Sequence, residues 1–159
     1  AAERAADWGA VRALVADDPL LHALGVPAAL RATGMEVLMW PPERGWRELL
    51  GLEGPEATCG VTAPRLAVAE RGTLVLEPAA GHGRSIDVVS RWHLAVLPED
   101  RVVATLADAM RATFGGRPAP SAVSLVSGPS RSSDIEKVST LGAHGALAEH
   151  VLVVGPDAA

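Results

Sequence analysis

The segment from Ser127 to Gly145, SGPSRSSDIEKVSTLGAHG, concentrates serines, an arginine, two carboxylates and a histidine between two apolar runs. The planar guanidinium of Arg131 suits a carboxylate or phosphate group. Gly128 would let the backbone approach such an anion, and Ser130 would donate a hydrogen bond to it. The segment therefore predicts an anion-binding loop, although a solvated loop charge is an equally good interpretation of Arg131.

The middle of this segment also has a purely structural interpretation. Ser133, Asp134 and Glu136 match the capping box, in which a serine hydroxyl accepts from a backbone N–H one turn on and the glutamate reaches back. Capping is the favoured role for Ser133 and Glu136. Asp134 remains a candidate ligand-binding residue at the end of the loop. This loop leads from a predicted strand into a predicted helix, where free N–H groups favour a bound anion.

His144 is a candidate proton carrier. It lies between Gly142 and Gly145, and glycines permit sharp turns that would present the imidazole at the edge of a sheet. An ordinary loop residue after a helix C-cap is the equal alternative.

A second candidate site lies upstream, in the run AERGT. Glu70 is a candidate general base or nucleophile beside Gly72 and Thr73, which are candidate ligand-binding residues. A carboxylate before a turn is more often solvated than catalytic. The loop histidine His82 has weaker claims, and three further histidines fall in helix or strand patterns that predict packed or surface side chains: His22, His93 and His150.

Cys59 is the only cysteine, which excludes an intrachain disulfide and a cysteine-rich metal cage within this chain. Its surroundings, ATCGVT, read as a strand, so a buried thiol is predicted rather than a nucleophile. No two histidines have a metal-site spacing. The sequence thus predicts no metal and no cofactor.

The chain has 159 residues, of which 48% are hydrophobic and 21% charged, so one domain over residues 1–159 is expected. Its net charge of −5 is not accompanied by the basic run of a nucleic-acid-binding protein. No apolar stretch reaches the roughly 18 residues of a membrane span, and the first residues lack a signal core. A soluble cytoplasmic protein is therefore predicted. Because Ala1 rather than Met comes first, a missing N-terminal piece stays open.

The elements that position these residues follow from the apolar pattern. Residues 1–33 are predicted to be helical: ERAADWGAVRALVA has helical spacing, Asp18 and Pro19 begin a second helix, and VPAALRATG forms a third. Strands are predicted for MEVLMW and ATCGVT, with a helix in PERGWRELLG between them. A strand-rich middle follows, in RLAVAERGTLVLEP and IDVVSRWHLAVLPE.

The last third alternates between helix and strand. EDRVVATLADAMRATFGG is the clearest helix, with one face formed by Val103, Leu106, Met110 and Phe114. SAVSLVS is then a strand, SDIEKVSTLG a short helix and EHVLVVG a closing strand. This alternation predicts one largely parallel sheet that contains ATCGVT, SAVSLVS and HVLVVG, with helices on both faces. The loops at 72–73 and 128–134 are expected to meet at its carboxyl edge and to line one pocket.

Two ordered motifs resemble the LUD-domain family, typified by lactate utilisation protein C of bacterial operons. The resemblance spans roughly Gly34 to Val154, and Arg71 departs from it by replacing the family's usual threonine. The matching residues are Gly60-Val61-Thr62, Glu70 and Gly72-Thr73 upstream, and Gly128-Pro129-Ser130, Asp134-Ile135-Glu136, Gly142, His144 and Gly145 downstream.

The resemblance implies a three-layer α/β/α fold with a mostly parallel sheet, similar to ribose-phosphate isomerase, glucosamine-phosphate deaminase and coenzyme A transferases. It also implies an accessory or small-carboxylate-binding role in the oxidation of L-lactate to pyruvate, beside iron–sulphur oxidoreductase subunits encoded nearby. A single cysteine and no dinucleotide fingerprint indicate that electrons travel elsewhere. A free-standing enzyme acting on a small phosphorylated or carboxylated metabolite, and a scaffold with a vestigial pocket, remain alternatives.

Overall fold

The structure, a computed structural model, describes residues 1–41, 58–129 and 145–155, together with the backbone of 131–133 and 139–141. The helix predicted for PERGWRELLG lies outside the described residues. In chain order the elements are α1 (Ala2–Asp7), β1 (Arg12–Val15), α2 (Pro19–Ala23), α3 (Val26–Ala32), β2 (Glu36–Met39), β3 (Thr58–Thr62), β4 (Leu66–Val68), β5 (Thr73–Leu76), α4 (Ile86–Val89), β6 (Trp92–Pro98), a 3₁₀ turn (Glu99–Arg101), β7 (Val102–Val103), α5 (Leu106–Phe114), β8 (Ser124–Val126), β9 (Arg131–Ser133), β10 (Ser139–Leu141) and β11 (Ala148–Val154).

A five-stranded parallel sheet in the order β11-β6-β3-β1-β2 is the centre of the fold. The predicted mostly parallel sheet with flanking helices, an α/β fold, is therefore confirmed. Every residue of β3 is buried, because both faces of this inner strand are covered. Such strands read as continuous apolar runs rather than as alternating ones.

Helices cover both faces of this sheet. On one face, Cys59 and Val61 belong to a core cluster that includes Ala5 of α1 and Leu30 of α3. On the other face, α4 packs so closely on β3 that a Cβ on Gly60 would lie 2.4 Å from the carbonyl oxygen of Ile86. Neighbouring residues along a strand point to opposite faces, so each layer has its own set of β3 contacts.

A second sheet of four strands, in the order β7-β4-β5-β8, corrects one prediction. The run SAVSLVS forms β8, and it pairs antiparallel with β5 rather than joining ATCGVT and HVLVVG in the central sheet. Helix α5 packs on this second sheet, where Ala109 meets Val68 and Val75. Short apolar runs carry no signal for parallel or antiparallel partners, so the sequence pattern did not separate the two sheets.

Three local predictions were wrong at their boundaries. The helix predicted for ERAADWGAVRALVA ends at Asp7, Gly9 follows at φ +73°, and RALV is the buried strand β1. The strand pattern IDVVSRWHLAVLPE begins with the short helix α4. Val103 belongs to β7, and α5 begins only after Thr105, whose hydroxyl accepts from the Asp108 N–H in a capping box.

The exposed face of α5 also differs from the prediction. Leu106 and Phe114 are 38% and 46% exposed, whereas Ala109 and Thr113 are fully buried. The small side chains allow the helix to approach the sheet closely, so the buried stripe is rotated away from the large apolar residues.

The helix predicted for SDIEKVSTLG is replaced at both ends by strands. Ser133 pairs with Ser139 in the antiparallel pair β9–β10, and its capping role remains a prediction. Residues 134–138, which include Glu136, lie outside the described residues.

In the part of the chain that the structure describes, no helix is long and apolar enough to cross a membrane.

Candidate functional site

A cavity of about 190 Å³ lies between the two sheets, near the amino ends of β6 and β11. It is smaller than the roughly 300 Å³ at which pockets for drug-sized ligands begin, so its size suits a small metabolite. Its wall combines titratable side chains from the central sheet and α4 with a loop that follows β8: Asp87, His93, Leu125, Val126, Ser127, Gly128, Pro129, Gly145, Ala146 and Glu149.

His93 is the central side chain of this wall, and both of its ring nitrogens have partners. Nδ1 lies 2.8 Å from Oε1 of Glu149, and Nε2 lies 2.8 Å from Oγ1 of Thr62. With Glu149 ionised, Nδ1–H donates to the carboxylate and Nε2 accepts from the threonine hydroxyl. Since His93 is only 1% exposed, this hydroxyl–imidazole–carboxylate series has a fixed geometry.

Strand register brings the series together. Glu149 of β11 and His93 of β6 are neighbours across a parallel pair, although they are 56 residues apart in the chain. Oε1 of Glu149 contacts His93, and Glu149 also lines the cavity. Within the described residues, no hydrogen bond or ion pair engages its second carboxylate oxygen. A carboxylate oxygen at this position can accept a hydrogen bond or a proton from a bound hydroxyl, while the Nδ1–H of His93 holds the other carboxylate oxygen in place.

Asp87 of α4 adds a second carboxyl group to the wall, and it is 8% exposed. Burial raises the pKa of Asp87, and the electrostatic interaction with His93 opposes that shift. The raised pKa moves Asp87 toward its neutral form, in which a carboxylic acid can donate a hydrogen bond.

The loop Ser127–Pro129 forms the opposite wall. Thr73 Oγ1 and Ser127 Oγ lie 2.7 Å apart, which continues the antiparallel register of β5 and β8 by one step. Gly128 adopts φ +90°, a conformation that side-chain-bearing residues rarely take, so its place in the family motif has a steric reason. Thr73 therefore meets Ser127, which directly precedes the predicted loop 128–134, through the antiparallel sheet and not at the carboxyl edge of the parallel one. The turn at 72–73 does not line this cavity, so the two predicted loops do not share its wall.

The upstream candidates lie outside the cavity wall. Glu70 is exposed in the turn between β4 and β5, where its Oε1 is 3.4 Å from the N–H of Leu106 at the start of α5. Gly72 is exposed at φ +61°, and Thr73 is buried behind Ser127. The roles predicted for these three residues remain predictions.

The side chains of four downstream candidates lie outside the described part of the chain. Arg131 is the first residue of β9, with only its backbone described. Ser130, Asp134 and His144 lie outside the described residues, and their roles likewise remain predictions. Gly145, next to His144 in sequence, is part of the cavity wall.

The sequence interpretation missed Asp87, His93 and Glu149 as a group. His93 was predicted to be an ordinary packed or surface residue, and it is indeed packed, but against two polar partners. The available signal was that His93 and Glu149 each interrupt an apolar strand at its second residue.

Among the residues that the structure describes, no cluster of histidine, cysteine and carboxylate side chains could hold a metal ion.

Comparison with known proteins extends the resemblance over nearly the whole chain. The model of the LUD domain matches residues 3–154. Lactate utilization protein C of Shouchella clausii is 33% identical over 151 residues, which cover 92% of this chain and 64% of that protein. Lactate utilization protein C of Deinococcus radiodurans is 33% identical over 136 residues, covering 82% of this chain and 60% of that protein.

A solved structure agrees with these sequence matches. The crystal structure of a DUF162 family protein from Deinococcus radiodurans superposes with a TM-score of 0.54 at 26% identity, over 96% of this chain and 93% of that one. The chain spans less than two thirds of the length of the curated relatives described above. Because the family model covers all of the central sheet and the cavity wall, the chain belongs to the LUD-domain family.

Proposed function

We propose that this chain is a small-carboxylate-binding component in the oxidation of L-lactate to pyruvate. The observation that carries the proposal is the position of His93, which is held between Glu149 and Thr62 in the wall of a small cavity. The names of the relatives point to lactate utilization, and a 2-hydroxy acid offers the two groups that such a cavity can bind.

The two ends of the ligand would meet different parts of the wall. The hydroxyl group would donate to Glu149, whose charge His93 stabilises, so that the hydroxyl proton has a fixed acceptor. The carboxylate would lie toward Ser127 and the backbone of Gly128, with Arg131 as the candidate counter-charge. A neutral Asp87 would donate a further hydrogen bond.

Oxidation of lactate also removes two electrons, and we expect these electrons to travel through another component rather than through this chain. The acceptor would be an iron–sulphur oxidoreductase subunit encoded nearby, which would make the chain an accessory component of a larger assembly in the cytoplasm. Co-purification of such a subunit with the tagged chain from its host is the direct measurement of this part of the proposal.

The binding step is tested by titrating L-lactate and pyruvate into the purified chain and into His93→Gln and Glu149→Gln. Loss of a hydrogen bond to a charged group costs about 1.5–3 kcal/mol, so both variants should bind lactate at least about tenfold more weakly. His150→Gln is the matched control, because His150 follows Glu149 but lies on the other face of β11, beside Trp8. Lactate binding that is absent from the wild type, or equal in His93→Gln, would contradict the proposal.

A free-standing enzyme acting on a small phosphorylated or carboxylated metabolite is the second candidate. The order hydroxyl, imidazole, carboxylate in Thr62, His93 and Glu149 favours it, because nucleophilic catalysis uses the same order. Thr62 is fully buried, however, so its hydroxyl is better suited to holding the imidazole than to attacking a ligand. Turnover of such a metabolite by the purified chain alone, abolished in His93→Gln, would favour the enzyme.

A further inference from the structure

A second cavity, of about 310 Å³, opens at the other end of the central sheet. Three neighbouring strands contribute the residues that follow their carboxyl ends: Asp18 after β1, Ala63 directly after β3, and Arg101 after β6. The rest of the wall comes from the second sheet and the loop beyond it: Arg65, Glu77, Ala79 and His82.

The crevice lies where the strand order of the central sheet reverses, which is a common position for a ligand site. Strand β1 pairs with β2 on one side and with β3 on the other, so the order of strands along the chain reverses at β1. The connections from β1 and β3 therefore diverge and leave a crevice between their carboxyl ends. Open α/β sheets bind ligands at such switch points. The His93 cavity lies at the opposite, amino end of the neighbouring strands.

The acidic side chains of this crevice already have partners. Glu77 accepts two hydrogen bonds from the Arg117 guanidinium, at 2.8 and 2.6 Å, and these bonds lower the pKa of Glu77. Asp18 caps α2 by accepting from the N–H of Leu20 at 2.9 Å. Both carboxylates are thus engaged in structural contacts, and Arg117 balances the charge of Glu77.

The remaining charges of the crevice are positive. Arg101 donates from Nη1 to the Pro64 carbonyl oxygen at 3.2 Å, and none of the described ion pairs gives it a carboxylate partner. Arg65 has 43% of its side chain exposed, and its Nε lies 3.4 Å from Oε2 of Glu77. The charge of that carboxylate is already balanced by Arg117. One backbone contact orients the Arg101 guanidinium and leaves its other N–H groups for a ligand.

His82 contributes a polar group without adding charge. It is 8% exposed, and burial lowers its pKa, so the neutral imidazole prevails at pH 7. The backbone pairing of Ala79 with His82 gives this loop a defined turn at the wall of the crevice.

We infer that this crevice is a second ligand site, separate from the His93 cavity, which takes a small molecule by a phosphate or carboxylate group held between Arg65 and Arg101. The planar fork of arginine binds both oxyanions in the same way. The site does not depend on the identity of the ligand in the His93 cavity.

Calorimetric titration of the full chain with inorganic phosphate and with L-lactate tests this inference. Phosphate, lactate or both should bind, and Arg101→Gln and Arg65→Gln should weaken that binding about tenfold or more, because each removes a charge-assisted contact. Arg111→Gln is the matched control, since Arg111 is an exposed arginine of α5 whose partner is Asp108. Arg101→Lys retains the charge and is used if Arg101→Gln does not fold.

The two probes and the His93→Gln variant separate this site from the proposed function. Phosphate binding that depends on Arg101 assigns the site to phosphorylated molecules. Lactate binding that depends on Arg101 and persists in His93→Gln assigns it to carboxylates. The inference is overturned if neither probe binds, or if the Arg101 and Arg65 variants bind both probes as the wild type does.

Discussion

At the scale of single residues, the most informative side chain is Asp87, because its burial disfavours the charged carboxylate and so lowers the stability of the folded chain at neutral pH. Burial raises the pKa of its carboxyl group above the ordinary value near 3.8. The folded chain therefore holds this proton more tightly than the unfolded chain does. By linkage, the contribution of Asp87 to the free energy of unfolding falls as the pH rises from below 3.8 through the folded pKa.

We expect Asp87→Asn to remove this pH-dependent fall in the free energy of unfolding, because the asparagine side chain does not ionise. The variant should have a larger free energy of unfolding than the wild type at neutral pH, and the difference should shrink as the pH falls toward the ordinary pKa of aspartate. Urea denaturation at several pH values between 4 and 8 measures it. Asp7→Asn is the control, because the Asp7 side chain is 67% exposed. A variant that is less stable than the wild type at neutral pH would show that the Asp87 charge is stabilised in the fold.

At the scale of elements, the contact between β3 and α4 explains a glycine of the upstream motif. A Cβ on Gly60 would lie 2.4 Å from the Ile86 carbonyl oxygen and 2.8 Å from Oγ of Ser90. Ser90 in turn donates to that same carbonyl at 2.7 Å, so the two groups that a Cβ would meet are held together within α4. The glycine therefore sets the distance between the helix and the strand.

Gly60→Ala should consequently destabilise the fold by about 1–3 kcal/mol, the usual cost of overpacking a core. It should also weaken ligand binding in the His93 cavity, because α4 carries Asp87. Chemical denaturation measures the first effect and titration with lactate the second. Gly155→Ala is the matched control, since a Cβ there has no neighbour within 4 Å and should change stability by less than about 0.5 kcal/mol. Equal stability of the two variants would contradict the close packing.

At the scale of the whole molecule, Cys59 reports on the integrity of the central sheet. The thiol is fully buried in β3, and burial raises its pKa to about 12. Burial keeps reagents away from the sulphur, and the raised pKa lowers the population of the thiolate, which is the reactive form. A thiol reagent should thus reach Cys59 only when the sheet opens.

We expect labelling of native Cys59 at pH 7.5 to be slower than labelling in urea by on the order of a thousandfold or more, which corresponds to an opening free energy at the lower end of ordinary domain stabilities. Because Cys59 is the only cysteine of the chain, the reaction has a single source. The Gly60→Ala variant should label faster than the wild type. Rapid labelling of the native wild-type chain would mean that β3 is accessible without global unfolding.

The sequence by itself determined the fold class and several element boundaries. Buried strands read as apolar runs, and local chemistry fixed the helix starts, as at Asp18, whose side chain caps α2, and at Pro27 near the start of α3. These features depend on neighbours a few residues away, so they are visible in a single chain. The downstream family motif likewise predicted a candidate site at the loop Ser127–Pro129, which lines a cavity in the structure.

Only the tertiary structure decided which strands share a sheet and which side chains share a cavity. Residues of RALV become a strand because β2 and β3 supply partners on both sides, a long-range contact that outweighs the local helical spacing. Glu149 and His93 become a pair because parallel register aligns residues that are 56 positions apart. Pairing of distant strands is non-local, and short apolar runs are compatible with several partners. The chemistry of both cavities therefore depends on register and topology, which no local pattern specifies.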